Sequence, residues 1–493
     1  MNQIKTPGVY VEEKNAFPNS VVEVETAVPA FVGYTKIAKN GKIDLSGKPI
    51  RVTSMAEYEI LFGGPPPLSV TQDKTDPNKL VADNRFLMHM SMQFFYDNGG
   101  GPCYIVSIGD YSATMSADDF KTGIATLETE QEPTMILAPD AVLLGSKDDY
   151  IKVPQAALAQ CGKLKSRVAI IDIFNGNKAA VPGGDDPIAD FRNTIGTNDL
   201  NYGMAYYPWV NTSILEPSAV DYTTLDSKAR KSLATEMTAE AQAAADQATG
   251  QPKSAIPDAM TKMIAIVEKG TDASVVTKTH QAMMSASQVY KHTMTQTLEA
   301  VNLMPPSAAM AGIYTATDNS VGVWKAPANV SMVDVVSPAV SIDSEQQQDL
   351  NVPLDGLAVN AIRTFLGRGV LVWGARTLDG NSQDWRYISV RRTLIMLEQS
   401  VKAACEPYVF AANDASTWTT VEAMIENFLT NQWKAGALAG ATPPEAFQVS
   451  VGLGSTMTGN DILDGYMRVT VKVAVTHPAE FIILTFQQKM QTS

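Results

Sequence analysis

Residues 85–108, RFLMHMSMQFFYDNGGGPCYIVSI, decide the fold class. From Phe86 to Tyr96 the apolar side chains recur at the spacing of a helix face. Asn98-Gly-Gly-Gly101 then stops the helix, because glycine enters the left-handed backbone of a helix end at little steric cost. Cys103–Ile108 follows as a short apolar run, the pattern of a buried strand. The same rhythm extends outward. Ala30–Gly33, Thr134–Ala138 and Val168–Ile173 read as strands, with a helical stretch over Asp149–Cys161 between the last two. Strand, helix, strand in alternation predicts a largely parallel sheet with helices on its faces. After Pro208-Trp209 the rhythm ends. Residues 226–250 and 257–300 are helix-prone, polar, alanine-rich and poor in aromatics, and they read as a helical insertion rather than part of the sheet.

The composition suits several globular domains: 493 residues, 45% hydrophobic and 18% charged. It excludes a disordered chain, a collagen and a coiled-coil rod. A net charge of −14, from 38 Lys and Arg against 52 Asp and Glu, argues against nucleic acid as a partner. The charge is unevenly placed. Residues 346–493 hold 11 basic against 13 acidic side chains, which leaves 27 against 39 for the rest. A near-neutral C-terminal part beside a strongly acidic remainder fits contact with other protein through the C-terminal part. Cys103, Cys161 and Cys405 lie too far apart for a disulfide framework and read as reduced thiols. No basic stretch followed by an apolar one opens the chain, and runs such as Phe481–Leu484 are far short of the ~20 residues of a bilayer span, so no membrane insertion is expected.

Both ends carry strand patterns without an evident partner. In Val21-Val-Glu-Val-Glu-Thr26 the valines Val22 and Val24 alternate with Glu23 and Glu25, bounded by Pro18 and Pro29. Near the other end, Val469, Val471, Val473 and Val475 share one face while Arg468, Thr470 and Lys472 share the other. Beyond Pro478 a second alternation takes in Phe481, Ile483 and Thr485. Each run either closes the protein's own sheet or adds to the edge of a neighbour's. Pattern alone leaves both open.

Signals of chemistry are poor. The Gly-Lys pairs at 41–42, 47–48 and 162–163 lack the glycine and hydroxyl of a phosphate loop, and Val372 and Met457 stand where dinucleotide fingerprints need glycine. No GxSxG, HExxH or CxxC is present, and His89, His280, His292 and His477 show no metal-ligand spacing. No catalytic, cofactor-binding or metal-binding residue is assigned. Asp140 and Asp172, at expected strand ends, are the carboxylates an α/β enzyme would use, and for Asp140 capping of the next turn is the preferred reading.

A set of phrases in fixed order resembles the sheath proteins of contractile phage tails and related injection machines. These are Thr6-Pro-Gly-Val-Tyr-Val-Glu-Glu13, Pro29–Thr35, Phe94–Val106, Tyr206-Tyr-Pro-Trp209, Pro305-Pro306 with Ala311–Tyr314, and Gly322–Asn329. The most specific stretch runs from Asn360–Arg363 through Val372–Leu378 to Trp385–Arg392, and Pro478-Ala-Glu-Phe-Ile482 closes the series. One departure stands out: the helical block at about 216–303 separates the Tyr-Tyr-Pro-Trp and Pro-Pro phrases, which lie closer together in typical sheaths. An exposed position tolerates such an insertion best, so the outside of the particle is its expected place.

The resemblance implies an α/β, multidomain sheath subunit: an arm over 1–27 donating a strand, an outer α/β domain over 28–344, and a C-terminal α/β assembly domain over 345–493 ending in a donated strand at about 480–488. It implies a structural protein, not an enzyme, with no cofactor. Copies would polymerise helically around an inner tube in an extended, metastable state, then contract to drive the tube through an envelope. Val21, Val22, Val24 and Thr26 would form one inter-subunit strand, and Phe481, Ile483 and Thr485 the other, with hinges at 14–20 and 476–479. Arg363, Trp373, Arg376, Trp385, Arg391 and Arg392 belong either to the core of the assembly domain or to an interface. Glu422, Glu426 and Trp433 mark a tube-facing helix. The implied partners are further copies, the tube protein, baseplate and terminator proteins, and paralogous sheath subunits, assembled in the bacterial cytoplasm into a phage tail or a released tail-like particle.

Overall fold

A computed structural model describes residues 21–74, 76–83, 85–181, 183–249, 255–270 and 274–484. The chain forms two compact units, Thr26–Arg391 and Arg392–Ser493 together with Met1–Glu25.

The larger unit opens with β1 (Pro29–Gly33), β2 (Ile50–Val52), α1 (Met88–Asp97), β3 (Cys103–Ser107), α2 (Ala117–Thr126) and β4 (Met135–Leu137). It continues with α3 (Lys152–Leu164), β5 (Val168–Asp172), α4 (Pro187–Ile195) and β6 (Gly203–Tyr207). A helical block follows: α5 (Ser227–Thr249), α6 (Asp258–Lys269), α7 (Val276–Ala286) and α8 (Gln288–Val301). Then come α9 (Ser307–Ser320), β7 (Val330–Ser331), β8 (Asn360–Phe365) and β9 (Gly369–Trp373). The nine-stranded sheet has the order β7-β9-β8-β6-β5-β4-β1-β3-β2. β1 pairs in parallel with β3 and β4, and parallel pairing runs on through β5 and β6 to β8. Every residue of β1, β3, β4, β5 and β6 is buried. A strand covered on both faces favours an apolar run, and that is why β1, β3, β4 and β5 could be read directly, while β6 was not read as a strand.

The glycines after α1 act as the pattern requires. Gly99 has φ 93°, and a Cβ there would lie 2.8 Å from the Cβ of Ala316 on α9. The residue both ends α1 and lets α9 pack against it.

The helical block has its own core, built on Tyr222, Leu233, Met237, Val267, Met283, Tyr290 and Met294. A hairpin the sequence reading missed, Val70–Gln72 with Leu80–Ala82, seals it: Val70 is fully buried there and Leu68, Leu80 and Ala82 pack against it.

The larger unit runs on past residue 344, where the sequence reading places a boundary. Tyr206 pairs with Asn360, so β8 and β9 extend the same sheet, and the division falls at 391/392 inside α10 (Ile388–Cys405).

In the smaller unit α11 (Ala415–Ala435) precedes β10 (Phe447–Val451) and β11 (Val469–Val473). The Asp414 carboxylate accepts the Thr417 N–H at 3.0 Å and starts α11, and Gly436 at φ 97° ends it. α11 buries Val421, Met424, Ile425, Phe428 and Leu429. Two strands alone are marginal in water, and packing of this helix on them makes the pair viable. Neither Val21–Thr26 nor Phe481–Leu484 is a strand within the subunit. Among the described residues no helix is long and apolar enough to cross a membrane.

Candidate assembly interface

β10 and β11 pair antiparallel, Phe447 with Val473, Val449 with Val471 and Val451 with Val469. The Ala474 N–H donates to the Ala446 carbonyl at 2.8 Å, which makes that pair hydrogen-bonded. Antiparallel pairs alternate, so Gln448/Lys472 and Ser450/Thr470 are bonded across the ladder as well. Val469, Val471 and Val473 on one strand, and Phe447, Val449 and Val451 on the other, therefore turn their N–H and C=O outward. Among the described residues the sheet has only these two strands, so both edges present free backbone groups. Side chains follow the expected alternation: Val449 and Val451 are buried, Val469, Val471 and Val473 half-buried, Thr470 and Lys472 exposed.

The segment expected as the N-terminal strand makes bonds within its own chain. The Val24 N–H donates to Ser400 Oγ on α10 at 3.1 Å, and Gln432 Nε2 on α11 donates to Glu23 Oε2 at 2.9 Å. Thr26 Oγ1 donates to Asp318 Oδ2 at 2.7 Å, and Thr134 Oγ1 donates to the Thr26 carbonyl at 2.8 Å. Two backbone groups a ladder would use, the Val24 N–H and the Thr26 carbonyl, are thus bonded to side chains. Val21 is half-buried and Val22 is 76% exposed. At the other end Phe481 to Leu484 are 69–88% exposed, a run of four apolar residues facing water, and Thr485 lies outside the described residues.

On α11, Glu422 and Glu426 stand one turn apart on a face away from the core, a like-charge spacing that costs a lone helix a few tenths of a kcal/mol. Trp433 is half-buried, its Nε1 donating to the Gly440 carbonyl at 2.9 Å.

The arginine and tryptophan group lies mostly inside the subunit. Arg376, Arg391 and Arg392 are 3–4% exposed. The Arg391 guanidinium sits between Trp385 and Tyr202, 4.3 and 4.9 Å from their ring centres. Asn360 Oδ1 accepts the Arg376 N–H at 2.8 Å while its amide donates to the Arg376 carbonyl, clamping the chain after β9 to the start of β8. Trp373 and Arg363 are half-buried. Trp373 packs against Phe365 with ring centres 4.5 Å apart and the rings tilted by 48°, and Arg363 donates to Gln347 Oε1 at 2.5 Å.

The two carboxylates at strand ends are caps. Chain order reverses between β1 and β4, the switch point where open α/β sheets take ligands. There the Asp140 carboxylate accepts the N–H groups of Tyr34, at 2.9 Å, and Leu87, and a Cβ on Gly33 would lie 2.6 Å from it. The crevice is filled by chain. Burial pushes the Asp140 carboxyl up to about 6, against the lowering effect of these N–H groups. Asp172 accepts both the N–H and the hydroxyl of Ser307 at the start of α9, and burial pushes it up to about 7. Burial also raises the thiols of Cys103 and Cys161 to about 12, which leaves them unreactive. His89 pairs with Glu59 at 3.0 Å and His280, half-buried, with the Tyr290 hydroxyl at 2.9 Å. Among the described residues no cluster of His, Cys, Asp and Glu could hold a metal ion.

Comparison with known proteins follows the same line. No curated protein sequence matches the chain. A chain of the anti-feeding prophage baseplate is 29% identical with a TM-score of 0.62, over 99% of this chain and 100% of its own. A chain of the anti-feeding prophage helical sheath in the contracted state is 28% identical with a TM-score of 0.63, over 99% and 100%. A chain of the PVC sheath complex, an extracellular contractile injection system in the contracted state, is 26% identical with a TM-score of 0.60, over 99% and 99%. Matches of that extent take in the helical block. The family model for the phage tail sheath central domain matches residues 204–378, and that for the phage tail sheath C-terminal domain matches residues 381–489. Together they take in more than half of the chain, and the chain belongs to the contractile tail sheath protein family.

Proposed function

We propose that this protein is the subunit of a helical sheath joined by exchanged strands, which holds an inner tube in a long state and drives it forward on shortening. The observation that carries the reading is the β10–β11 ladder, open on both edges, in a chain that also exposes Phe481 to Leu484. An open edge and an uncovered apolar run each stay soluble only if something covers them. Addition of one chain's run to another's edge satisfies both. The added strand gains several backbone hydrogen bonds at ~1 kcal/mol net each, and the link can survive rotation of near-rigid subunits. The driving energy would reside in two packings of the same copies, without a nucleotide. The Asp140 plug favours a structural over a catalytic role, because the usual ligand crevice of such a sheet is occupied by chain.

The Glu422–Glu426 stripe of α11, with Glu422 half-buried and Glu426 exposed, is the face assigned to the tube, and the helical block is assigned to the outside. Baseplate and terminator proteins would meet the ends of the particle, and assembly would take place in the bacterial cytoplasm. Removal of residues 481–493 tests the reading. The truncated chain should keep its thermal unfolding temperature and fail to form tubes in negative-stain micrographs. Normal tubes from that chain would end the strand-exchange proposal.

A further inference from the structure

The geometry points to a fixed root for the N-terminal arm. We propose that Ser400 and Gln432 are its positioning residues, gripping Val24 and Glu23 so that only chain before Glu23 can reach another subunit; this rests on the strand-exchange reading. Ser400 is fully buried within α10, 376 residues away in sequence, and its Oγ accepts the Val24 N–H. Gln432 is 6% exposed and turns its amide donor to the Glu23 carboxylate, while its Oε1 has no partner among the described residues. A buried hydroxyl and a buried amide cost stability unless bonded, and the arm supplies the bond to each.

The grip excludes Val24 from any other ladder. A backbone N–H serves one ladder, and that of Val24 is already taken in cis. The Thr26 carbonyl is likewise occupied, by the Thr134 hydroxyl, and the Thr26 side chain is held by Asp318. Val22, at 76% exposed, stands on the far side of the grip. Of the four residues first read as a donated strand, Val24 and Thr26 thus belong to the anchor. An arm that transmits a pull needs such an anchor, since otherwise chain would slip from its own subunit before the neighbour moved.

The test uses the full-length chain and amide hydrogen exchange resolved to Val24. Ser400→Ala removes one small hydroxyl, and Glu23→Ala changes an exposed residue, so neither threatens folding. Ser400→Ala should speed exchange at Val24 about fivefold, the value of one hydrogen bond. Gln432→Glu alone should also release the root by placing two carboxylates together, and Glu23→Lys with Gln432→Glu should restore protection. A packing role for Gln432 predicts no such rescue. Unchanged exchange at Val24 in Ser400→Ala, or failure of the charge-swapped pair to recover, would overturn the anchor. Deletion of residues 1–20 separates the two ideas. Tubes that form without those residues, alongside faster exchange in Ser400→Ala, would leave the anchor standing and remove arm donation.

Discussion

A proline at Val471 separates the subunit's own ladder from the one proposed to receive a neighbour's strand. The register turns the N–H of Val471 away from β10, whereas that of Thr470 points into the ladder toward Ser450. Val471→Pro therefore removes a donor the isolated subunit does not use, in the edge position where proline is tolerated. Val469, Val471 and Val473 together turn six N–H and C=O groups outward. At about 1 kcal/mol per bond, an added strand would gain about 6 kcal/mol gross. The ring removes the central donor and fills the space an incoming carbonyl needs. The loss should reach at least about 1.4 kcal/mol per link, a tenfold rise in the concentration needed for tubes, read by sedimentation. Val471→Ala isolates the loss of half-buried methyl groups and should cost the fold about 1 kcal/mol or less while tubes still form. Thr470→Pro should instead lower the unfolding temperature, because it breaks an internal bond. Val471→Pro protein that is folded and forms tubes at the wild-type concentration would refute the edge assignment.

Asp172 makes stability depend on pH. Its carboxyl rises from the ordinary 3.8 to about 7 on folding, so between those values the folded chain holds a proton that the unfolded chain has lost. The contribution is complete below about pH 4 and fades as pH rises to about 7, by up to about 4 kcal/mol. Asp172→Asn keeps a partner for both Ser307 groups and should flatten that slope in melts taken across pH 4–8; an unaltered slope would assign it elsewhere. Gly99→Ala should cost about 2–3 kcal/mol in urea unfolding, since it combines a left-handed backbone with a Cβ 2.8 Å from that of Ala316. Met237→Ala, in the core of the helical block, should cost about 2–4 kcal/mol, and a neutral result would mean that core is not packed as described.

Buried strands were legible because both of their faces are covered. β1, β3 and β5 keep polar side chains out of their middles, Ser107 and Asp172 standing only at the ends, and the glycines after α1 mark its end by backbone geometry alone. Partnership was not legible. Val21–Thr26 alternates as a strand should, yet Ser400, Gln432, Asp318 and Thr134 satisfy it from places no local pattern reveals. The boundary at 391/392 escaped for the same reason, since pairing of Asn360 with Tyr206 is a long-range fact. The short, polar Val70–Gln72 hairpin gave too weak a period to recognise. At the candidate interface the alternation of β11 was plain, while the direction of its free N–H groups needed the register. Burial of Arg391 depends on rings from distant segments, Tyr202 and Trp385, that meet only in the fold.

If strands are exchanged as proposed, with acceptor edge and donor run on one chain, a row of subunits would have two unlike ends. Each interior subunit both gives and receives. The first subunit of a row would give a strand and receive none, and the last would receive one while nothing takes its own. Head-to-tail contacts of this kind do not close on themselves. A finished sheath would thus carry a rim of vacant β-edges at one end and a fringe of unclaimed apolar segments at the other. Growth would have a direction, and the proteins that start and stop it would have to differ in chemistry: one must supply strands or mimic them, the other must cover them.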